Sequence, residues 1–344
     1  MKLKKCLSYD DVLLVPQYSD IVSRSQVDIG SDLSPDVRLE VPIISSPMDT
    51  VTEDCMASGM AKHGGLGIIH RYNTIEDQCS YVRSVKSGAH HVAAAIGVTG
   101  DYYDRAIELV SSGATILCID VAHGHHKLMK KALNNLKLQF GDNVHLMAGN
   151  IATKEGFEDL ARWGADSIRC NIGGGSICST RLETGHGIPG FQTILDCYMA
   201  DTDRDVKIIA DGGIKNSGDI VKALAAGADF VMLGSLLAGT IESPGDIIYT
   251  KDGSKLKVYR GMASPEAQFD WRGKASSIEG VTATVPFRGS LDHVLGNLCQ
   301  GIRSGLSYSG SRSIAELQGT AKFVLQTASG ISESGTHIRN RSDG

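Results

Sequence analysis

The stretch that decides the fold of this chain is ADSIRCNIGGGSICSTR, residues 165–181. Residues 165–170 form a strand-like run, and three consecutive glycines then lead to Cys178, with hydroxyls at Ser176, Ser179 and Thr180. Glycine lets a backbone turn sharply and approach a ligand closely, because no Cβ blocks the approach. Thiols held near backbone N–H groups can become nucleophiles, which makes Cys178 a candidate. The plainer alternative is a tight β-to-α turn followed by a buried small residue.

On both sides of this stretch, short β-rich runs alternate with amphipathic segments of helical length. The strand candidates are residues 41–46, 66–70, 91–96, 115–120, 144–148, 166–170, 207–210 and 230–233. The helix candidates include residues 52–62, 75–86, 102–112, 127–140, 154–163 and 217–226. Runs this apolar suit parallel strands that are covered on both faces. The alternation predicts an α/β fold, a closed (β/α)₈ TIM barrel, with an open doubly wound sheet as the alternative.

Polar and glycine-rich residues follow most of the predicted strands. Because barrels bind their ligands at the C-terminal ends of the strands, these loops are interpreted as walls of a site. Gly212-Gly213 and Gly234-Ser235 follow the last two strands, which is the usual position for a phosphate group in a barrel. A short turn is the alternative interpretation of either pair alone.

Composition excludes several classes of protein. The chain has 344 residues and a net charge of −5, and it shows no basic stripe of the kind that binds nucleic acid. Its eight cysteines have no CxxC spacing, which favours reduced thiols in the cytoplasm over disulfides or a zinc site. No secretory leader is expected, and no apolar run approaches the roughly 20 residues of a membrane span.

The segments outside the alternation frame the predicted barrel. Residues 7–16 are expected to form an extended cap, which Pro16 ends. Residues 245–258 suit a β-hairpin around Asp252-Gly253, and a helix is expected over residues 291–304. Between them, residues 261–286 are polar and irregular, as in an active-site flap. The sequence is thus interpreted as one catalytic barrel domain, residues 1–344, with a flap at residues 261–286 after the eighth strand.

Several motifs together resemble the IMP dehydrogenase and GMP reductase family, nearly from end to end. The most specific motif is the glycine–cysteine loop, GGGSICSTR at residues 173–181. Supporting motifs are DDVLLVP (10–16), SPMDTVTE (46–53), GGLGIIH (64–70), DVAHGH (120–125), ADGGI (210–214) and YRGM (259–262). The resemblance implies a (β/α)₈ barrel, commonly a homotetramer, that binds a purine 5′-monophosphate and a nicotinamide cofactor.

The resemblance also implies roles for individual residues. Cys178 would attack C2 of the purine to form a covalent adduct, and hydride would pass between C2 and the nicotinamide. In the nucleotide site, Asp211 would hold the ribose, Met48 and Met262 would face the base, and the other matching residues are Ser46, Ser176, Gly212, Gly213, Gly234, Ser235 and Gly261. The residues that match the cofactor site are Arg71, Asp120, Ala122 and Asn150. A potassium ion is implied at the backbone of Gly173, Gly175 and Cys178, with Glu333 and Ser334 reaching it from a neighbouring subunit.

The flap indicates the direction of the reaction. Dehydrogenases of the family carry an Arg-Tyr pair there, whose arginine activates the water that hydrolyses the adduct, but no tyrosine follows Arg272. A reductase instead relays a proton through a threonine and a glutamate, and Thr180 and Glu279 match those positions. The regulatory CBS pair is also absent, since residues 85–91 run straight on. We therefore expect a GMP reductase that uses NADPH, with an NAD-dependent IMP dehydrogenase and a non-catalytic nucleotide sensor as the alternatives.

Some residues fit this expectation less well. The SPMDTVTE motif, residues 122–125 and the Glu333-Ser334 tail are closer to the dehydrogenases of the family. Ser179 stands where threonine is commoner, Gly174 replaces a usual proline, and Gly190 stands where a glutamine often follows Pro189. These departures concern loop stiffness and base contacts, so a deoxynucleotide or an unusual purine is an alternative substrate.

Overall fold

The computed structural model describes residues 3–275 and 278–335, so residues 1–2, 276–277 and 336–344 of the expected domain lie outside it. Within the described residues, the strands are β1 (Val12–Leu14), β2 (Ser31–Ser34), β3 (Val37–Leu39), β4 (Ile43–Ser45), β5 (Leu66–Ile69), β6 (Ala93–Ile96), β7 (Ile116–Asp120), β8 (His145–Ile151), β9 (Ser167–Cys170), β10 (Lys207–Asp211), β11 (Phe230–Leu233), β12 (Ile248–Tyr249), β13 (Lys255–Arg260), β14 (Thr282–Pro286) and β15 (Phe323–Leu325). The helices are α1 (Asp54–Lys62), α2 (Ile75–Lys86), α3 (Tyr102–Ser111), α4 (Lys127–Phe140), α5 (Lys154–Arg162), α6 (Thr180–Thr184), α7 (Gly190–Tyr198), α8 (Ser217–Ala225), α9 (Ser235–Ala238), α10 (Pro265–Arg272), α11 (Leu291–Tyr308), α12 (Ile314–Thr320) and α13 (Ala328–Glu333).

Strands β4 to β11 form a closed parallel barrel, because β11 pairs with β4 as well as with β10. All eight predicted strands are present, so the TIM barrel is confirmed and the open sheet is excluded. The predicted helices correspond to α1–α5 and α8, with small differences at their ends. Between β9 and β10 the chain forms two helices, α6 and α7, which the sequence analysis did not predict.

Alternating strand side chains build two apolar layers. One buried cluster fills the barrel and includes Ile44, Ile68, Cys118, Met147 and Phe230. A second cluster lies between the strands and the outer helices, where the opposite faces of the same strands pack. The β2–β3 hairpin belongs to the interior cluster and leads into β4, so it covers the N-terminal end of the barrel. The opposite end, where the strands finish, remains open for a ligand.

Short polar side chains fix where the outer helices begin. Thr74, Thr153 and Asn216 each accept a hydrogen bond from a backbone N–H in the first turn of α2, α5 and α8. Capping of this kind satisfies donors that the helix leaves unpaired, which is why these helices begin where the preceding loops end.

Two segments differ from what the sequence analysis expected. Residues 261–286 are not irregular throughout, because they contain helix α10 and strand β14. Strand β14 pairs antiparallel with β13, which also forms the expected hairpin with β12. At the N-terminus, a 3₁₀ turn at Tyr9–Asp11 precedes β1, and β1 pairs with the C-terminal strand β15. No helix in the described part of the chain has the length and apolar character needed to cross a membrane.

Candidate active site

A cavity of about 580 Å³ opens at the C-terminal ends of the barrel strands. Its walls come from the loops after six of the eight barrel strands, from Asn150 at the end of β8, and from residues 259–272 together with Glu279. The structure brings together in its lining Ser46, Met48, Arg71, Asp120, Ala122, Asn150, Gly173, Gly175, Ser176, Cys178, Thr180, Asp211, Gly212, Gly213, Gly234, Ser235, Gly261, Met262 and Glu279. Of the predicted site residues, Glu333 and Ser334 do not contribute to this lining.

The candidate nucleophile lies at the start of a short hydrogen-bonded chain. Cys178 Sγ is 3.2 Å from the hydroxyl oxygen of Thr180, and this hydroxyl donates a 2.9 Å hydrogen bond to Glu279 Oε2. Thiol, hydroxyl and carboxylate therefore stand in sequence within the cavity. Such a chain can carry a proton from the sulfur to the carboxylate and return one to a leaving group.

Glu279 reaches this position because its segment lies against the cysteine loop. The backbone N–H of Val281 donates to Ile177 O at 3.1 Å, and Ser179 Oγ donates to Ile278 O at 3.1 Å. The N–H of Gly261, directly after β13, donates to Val281 O. These hydrogen bonds hold the backbone on both sides of Glu279 in place, and this directs its carboxylate towards Thr180.

Arg169, which the sequence analysis did not select, lies between two predicted ligand residues. Its guanidinium forms ion pairs with Asp120 and with Asp211, the latter at 2.8 Å. Burial alone would lower the pKa of Arg169, but the carboxylates of Asp211 and Asp120 outweigh it and hold that pKa well above its usual value. The available sequence signal was a charged residue inside an otherwise apolar barrel strand.

Asn150 joins the same group from the neighbouring strand β8. The pairing of β8 with β9 shifts register between Gly149 and Ile151, a bulge of the kind that redirects a side chain near a site. Asn150 Nδ2 donates to Asp211 Oδ2 at 2.8 Å and to Asn171 O at 3.1 Å. The Asp211 Oδ2 atom thus accepts from both Asn150 and Arg169.

Around Gly234, polar atoms from strand β13 and from neighbouring loops surround a residue without a side chain. A Cβ at this position would lie 2.5 Å from the Tyr259 hydroxyl oxygen and 3.3 Å from Ser46 Oγ. Burial raises the pKa of Tyr259 to about 12, although a hydrogen bond with Ser176 opposes the shift. Tyr259 therefore stays a neutral donor at physiological pH, beside two serines. This tyrosine belongs to the quoted YRGM motif, but the sequence analysis gave it no role.

On the other side of the cavity, helix α10 packs against the loop after β5. The rings of Tyr72 and Trp271 stack with centroids 4.1 Å apart, and the guanidinium of Arg71 lies over both rings. Arg71 also donates to Asp120 O at 3.3 Å. Neither aromatic residue was predicted as a site residue, because the stack joins segments that are distant in sequence.

The residues predicted to hold a cation belong to two separate segments, the cysteine loop and the residues that end and follow α13. Gly173 has a φ of +76°, and a Cβ there would lie 2.5 Å from Arg181 Cγ, so both the backbone and the space require glycine. Gly175 O accepts a hydrogen bond from the N–H of Cys178. Ser334, after α13, instead bonds Gln326, whose backbone pairs with Asp11 near the N-terminus. Among the described residues, no group of three or more His, Cys, Asp or Glu side chains is placed to hold a metal ion.

Comparisons with known proteins show the family to which the chain belongs. The family model described as "IMP dehydrogenase / GMP reductase domain" matches residues 6–337. The chain is similar to an inosine-5′-monophosphate dehydrogenase of Nitrosopumilus maritimus, at 34% identity over 98% of this chain and 99% of that protein. It is also similar to a GMP reductase of Leishmania major, at 33% identity over 97% of each. Among solved structures, a cysteine-to-alanine variant of GMP reductase from Trypanosoma brucei in complex with guanosine 5′-monophosphate superposes with a TM-score of 0.92, at 32% identity over 98% of this chain and 99% of that one.

Proposed function

Because the chain belongs to the IMP dehydrogenase / GMP reductase family of oxidoreductases, we propose that it is a GMP reductase that forms IMP and ammonia from GMP with NADPH. The observation that carries the proposal is the chain from Cys178 through Thr180 to Glu279. A reductase needs a proton for the departing amine, and these three hydrogen-bonded groups supply one next to the nucleophile. Arg272 also lines the cavity, where it bonds Gln268 of the same helix, but Gly273 follows it instead of the tyrosine of the dehydrogenases.

The chemistry follows from the order of these three groups. The thiol of Cys178 passes its proton through the Thr180 hydroxyl to Glu279, and the sulfur forms a bond to C2 of the purine as the C2–N3 double bond opens. The bond between C2 and the exocyclic amine then breaks as that double bond re-forms, and a proton returned from Glu279 leaves with the amine as ammonia. When bound, the reduced nicotinamide supplies a hydride to C2. The C2–S bond then breaks, which releases IMP and restores the thiolate.

The nucleotide is proposed to bind between the cysteine loop and the ends of β10 and β11. Arg169 and Asn150 both bond Oδ2 of Asp211, and we assign Oδ1 of Asp211 to the ribose hydroxyls. The phosphate is assigned to Ser176, Gly213, Gly234 and Ser235, and we add the Tyr259 hydroxyl to that set. The base is assigned to Met48, Met262 and Gly261, with Ser46 and Gly212 beside it. The similar Trypanosoma brucei reductase was solved with guanosine 5′-monophosphate, which supports a purine monophosphate as the substrate.

The cofactor is proposed to lie on the side of Arg71, Asp120, Ala122 and Asn150. The residues fit an anionic dinucleotide, because Arg71 presents a cation there. Its buried Nε has no hydrogen-bond partner in the described part of the chain, although it lies 3.8 Å from Asp120 Oδ2. The stacked pair of Tyr72 and Trp271 adds a flat apolar surface at the same place. We propose NADPH as the cofactor, with NAD for the alternative dehydrogenase.

The remaining parts of the proposal concern assembly. We propose a homotetramer in which Glu333 and Ser334 help a neighbouring subunit hold potassium at the backbone of Gly173, Gly175 and Cys178. The flap is proposed to be residues 261–286, of which residues 276–277 lie outside the described part, within one catalytic domain. Cysteines in the described residues are free thiols, which supports a cytoplasmic location.

The experiment that tests the function follows the cofactor absorbance in both directions. We expect GMP to consume NADPH with one ammonia formed per cofactor oxidised, and we expect IMP with NAD to give no sustained turnover. The reverse result would establish the IMP dehydrogenase, for which Arg272→Ala should then slow adduct hydrolysis more than hydride transfer. Cys178→Ala should abolish turnover, whereas Cys55→Ala, an exposed thiol on α1, should not. A sensor would show no turnover in either direction.

A further inference from the structure

Asn171, the residue directly after β9, has an uncommon conformation. Its φ is +153°, and among the described non-glycine residues it alone has a positive φ. Its side chain is buried, with the residue 3% exposed, and its Oδ1 has no hydrogen-bond partner in the described part of the chain. A strained backbone and an unpaired buried acceptor both reduce stability. A residue that carries both is a candidate for function, because packing alone does not account for it.

The Asn171 amide fills space that two glycines leave open. A Cβ built on Gly174 would lie 2.0 Å from Asn171 Nδ2, and its three nearest atoms all belong to this amide. A Cβ on Gly190 would lie 3.1 Å from the same nitrogen. The amide thus excludes a side chain at Gly174. At Gly190 it shares the crowding with Tyr9, whose Cε2 would lie 3.3 Å from the added Cβ.

The same amide connects the cysteine loop to the turn after β10. Asn171 Nδ2 donates to Gly212 O at 3.2 Å, and Asn171 O accepts from Asn150, which also bonds Asp211. Loop and turn are in contact at this point, since a Cβ on Gly212 would lie 3.1 Å from Gly175 N. One buried side chain thus bonds the turn that carries Asp211 and packs against the loop that carries Cys178.

We propose that Asn171 is a positioning residue that sets the distance between the Cys178 thiol and the bound nucleotide. This inference rests on the proposed function, which makes Cys178 the nucleophile and Asp211 the ribose ligand. Asn171 acts by filling the volume beside Gly174 and by holding the cysteine loop to Gly212. A displacement of about 1 Å at a reacting atom costs on the order of 100-fold in rate. Loss of the amide therefore lowers kcat more than it changes the KM for the nucleotide.

The test compares the parent with Asn171→Gly, Gly174→Ala and the double variant. Gly174 is not among the glycines with positive φ, so alanine suits its backbone once the amide is removed. We expect Asn171→Gly to lower kcat about tenfold or more while Tm stays level or rises, because the strain is relieved. Gly174→Ala should lower kcat at least as much, because its Cβ and the amide cannot coexist. The double variant should have a higher kcat than Gly174→Ala alone. Gly88→Ala is the control, because a Cβ there meets nothing within 4 Å.

A second readout needs no substrate. The rate at which iodoacetamide alkylates Cys178, measured by mass spectrometry of its peptide, should change in both single variants and return towards the parent in the double variant. If Gly174→Ala does not fold, recovery of folding and of the alkylation rate in the double variant carries the same test.

Two results would overturn the inference. One is an Asn171→Gly variant with unchanged kcat and alkylation rate, and the other is a double variant no better than Gly174→Ala. If the parent itself fails to turn over GMP or IMP, the proposed function is wrong. The alkylation rates would still report whether Asn171 positions the loop.

Discussion

Replacing Arg169 by methionine should destabilise the fold and disable both ligand sites at once. The substitution keeps an unbranched side chain but leaves the carboxylates of Asp120 and Asp211 without their shared cation. Side-chain exposure is 8% for Arg169, 17% for Asp120 and 15% for Asp211, so water can solvate the two carboxylates left without Arg169 only in small part. Removing one partner of a buried ion pair typically costs about 3–5 kcal/mol, and we expect a loss in the free energy of unfolding of that order.

The lysine variant separates charge from geometry. Arg169→Lys keeps a positive charge, but one ammonium cannot reproduce the planar fork that bonds both carboxylates. We expect it to recover part of the stability while nucleotide affinity stays below that of the parent. Asp211 Oδ2 would no longer accept from both Nε and the terminal nitrogen of the guanidinium.

Urea unfolding at neutral pH and calorimetric titration with GMP provide the measurements. Arg162→Met on α5 is the matched control, since that side chain is 67% exposed and its loss should change stability by about 0.5 kcal/mol or less. The reasoning is refuted if Arg169→Met unfolds within about 1 kcal/mol of the parent, well below the loss expected for a broken buried pair, and binds GMP equally well.

Three further perturbations test other parts of the structure. Glu279→Gln removes the proton acceptor beside Thr180 and should lower kcat by about 10²–10⁴ with little change in nucleotide Kd. Single-turnover and binding measurements would show this, and equal losses in rate and in nucleotide affinity would contradict the relay. Trp271→Ala breaks the stack with Tyr72 and should raise the KM for the cofactor several-fold, whereas the KM for GMP should stay level in steady-state kinetics. Burial lowers the pKa of His145 to about 4, so the folded protein resists its protonation. Stability due to this residue is present above the unfolded pKa of about 6.5 and falls by about 3 kcal/mol as the pH drops to about 4, and in urea titrations at several pH values His145→Gln should lack that component.

The barrel could be predicted because its signal is local and repeated. Each barrel strand is a short apolar run followed by polar or glycine-rich residues, and each outer helix has its own amphipathic period. Two of the proposed reactive residues, Cys178 and Thr180, were also local in sequence, since they belong to one motif. Glu279 was predicted from the family resemblance, and in the structure its carboxylate accepts a hydrogen bond from Thr180.

The features that were missed depend on contacts between distant segments. Strand β14 has mostly exposed residues and ends in Pro286, so its sequence does not indicate a strand, and pairing with β13 supplies the missing stabilisation. The pairing of β1 with β15 joins the two ends of the chain, which no periodicity reveals. The contacts of Arg169 and Asn171 could not be predicted either, because the fold sets the positions of Asp120, Asp211 and Gly174 around them.

Covalent catalysis by Cys178 is tested most directly by the mass of the protein quenched in acid during turnover of GMP with NADPH. We expect a covalent species heavier than the enzyme by GMP less one ammonia, on the peptide that contains Cys178. The Cys178→Ala variant should show no such species. Turnover with no adduct, or an adduct on another residue, would show that Cys178 is not the nucleophile.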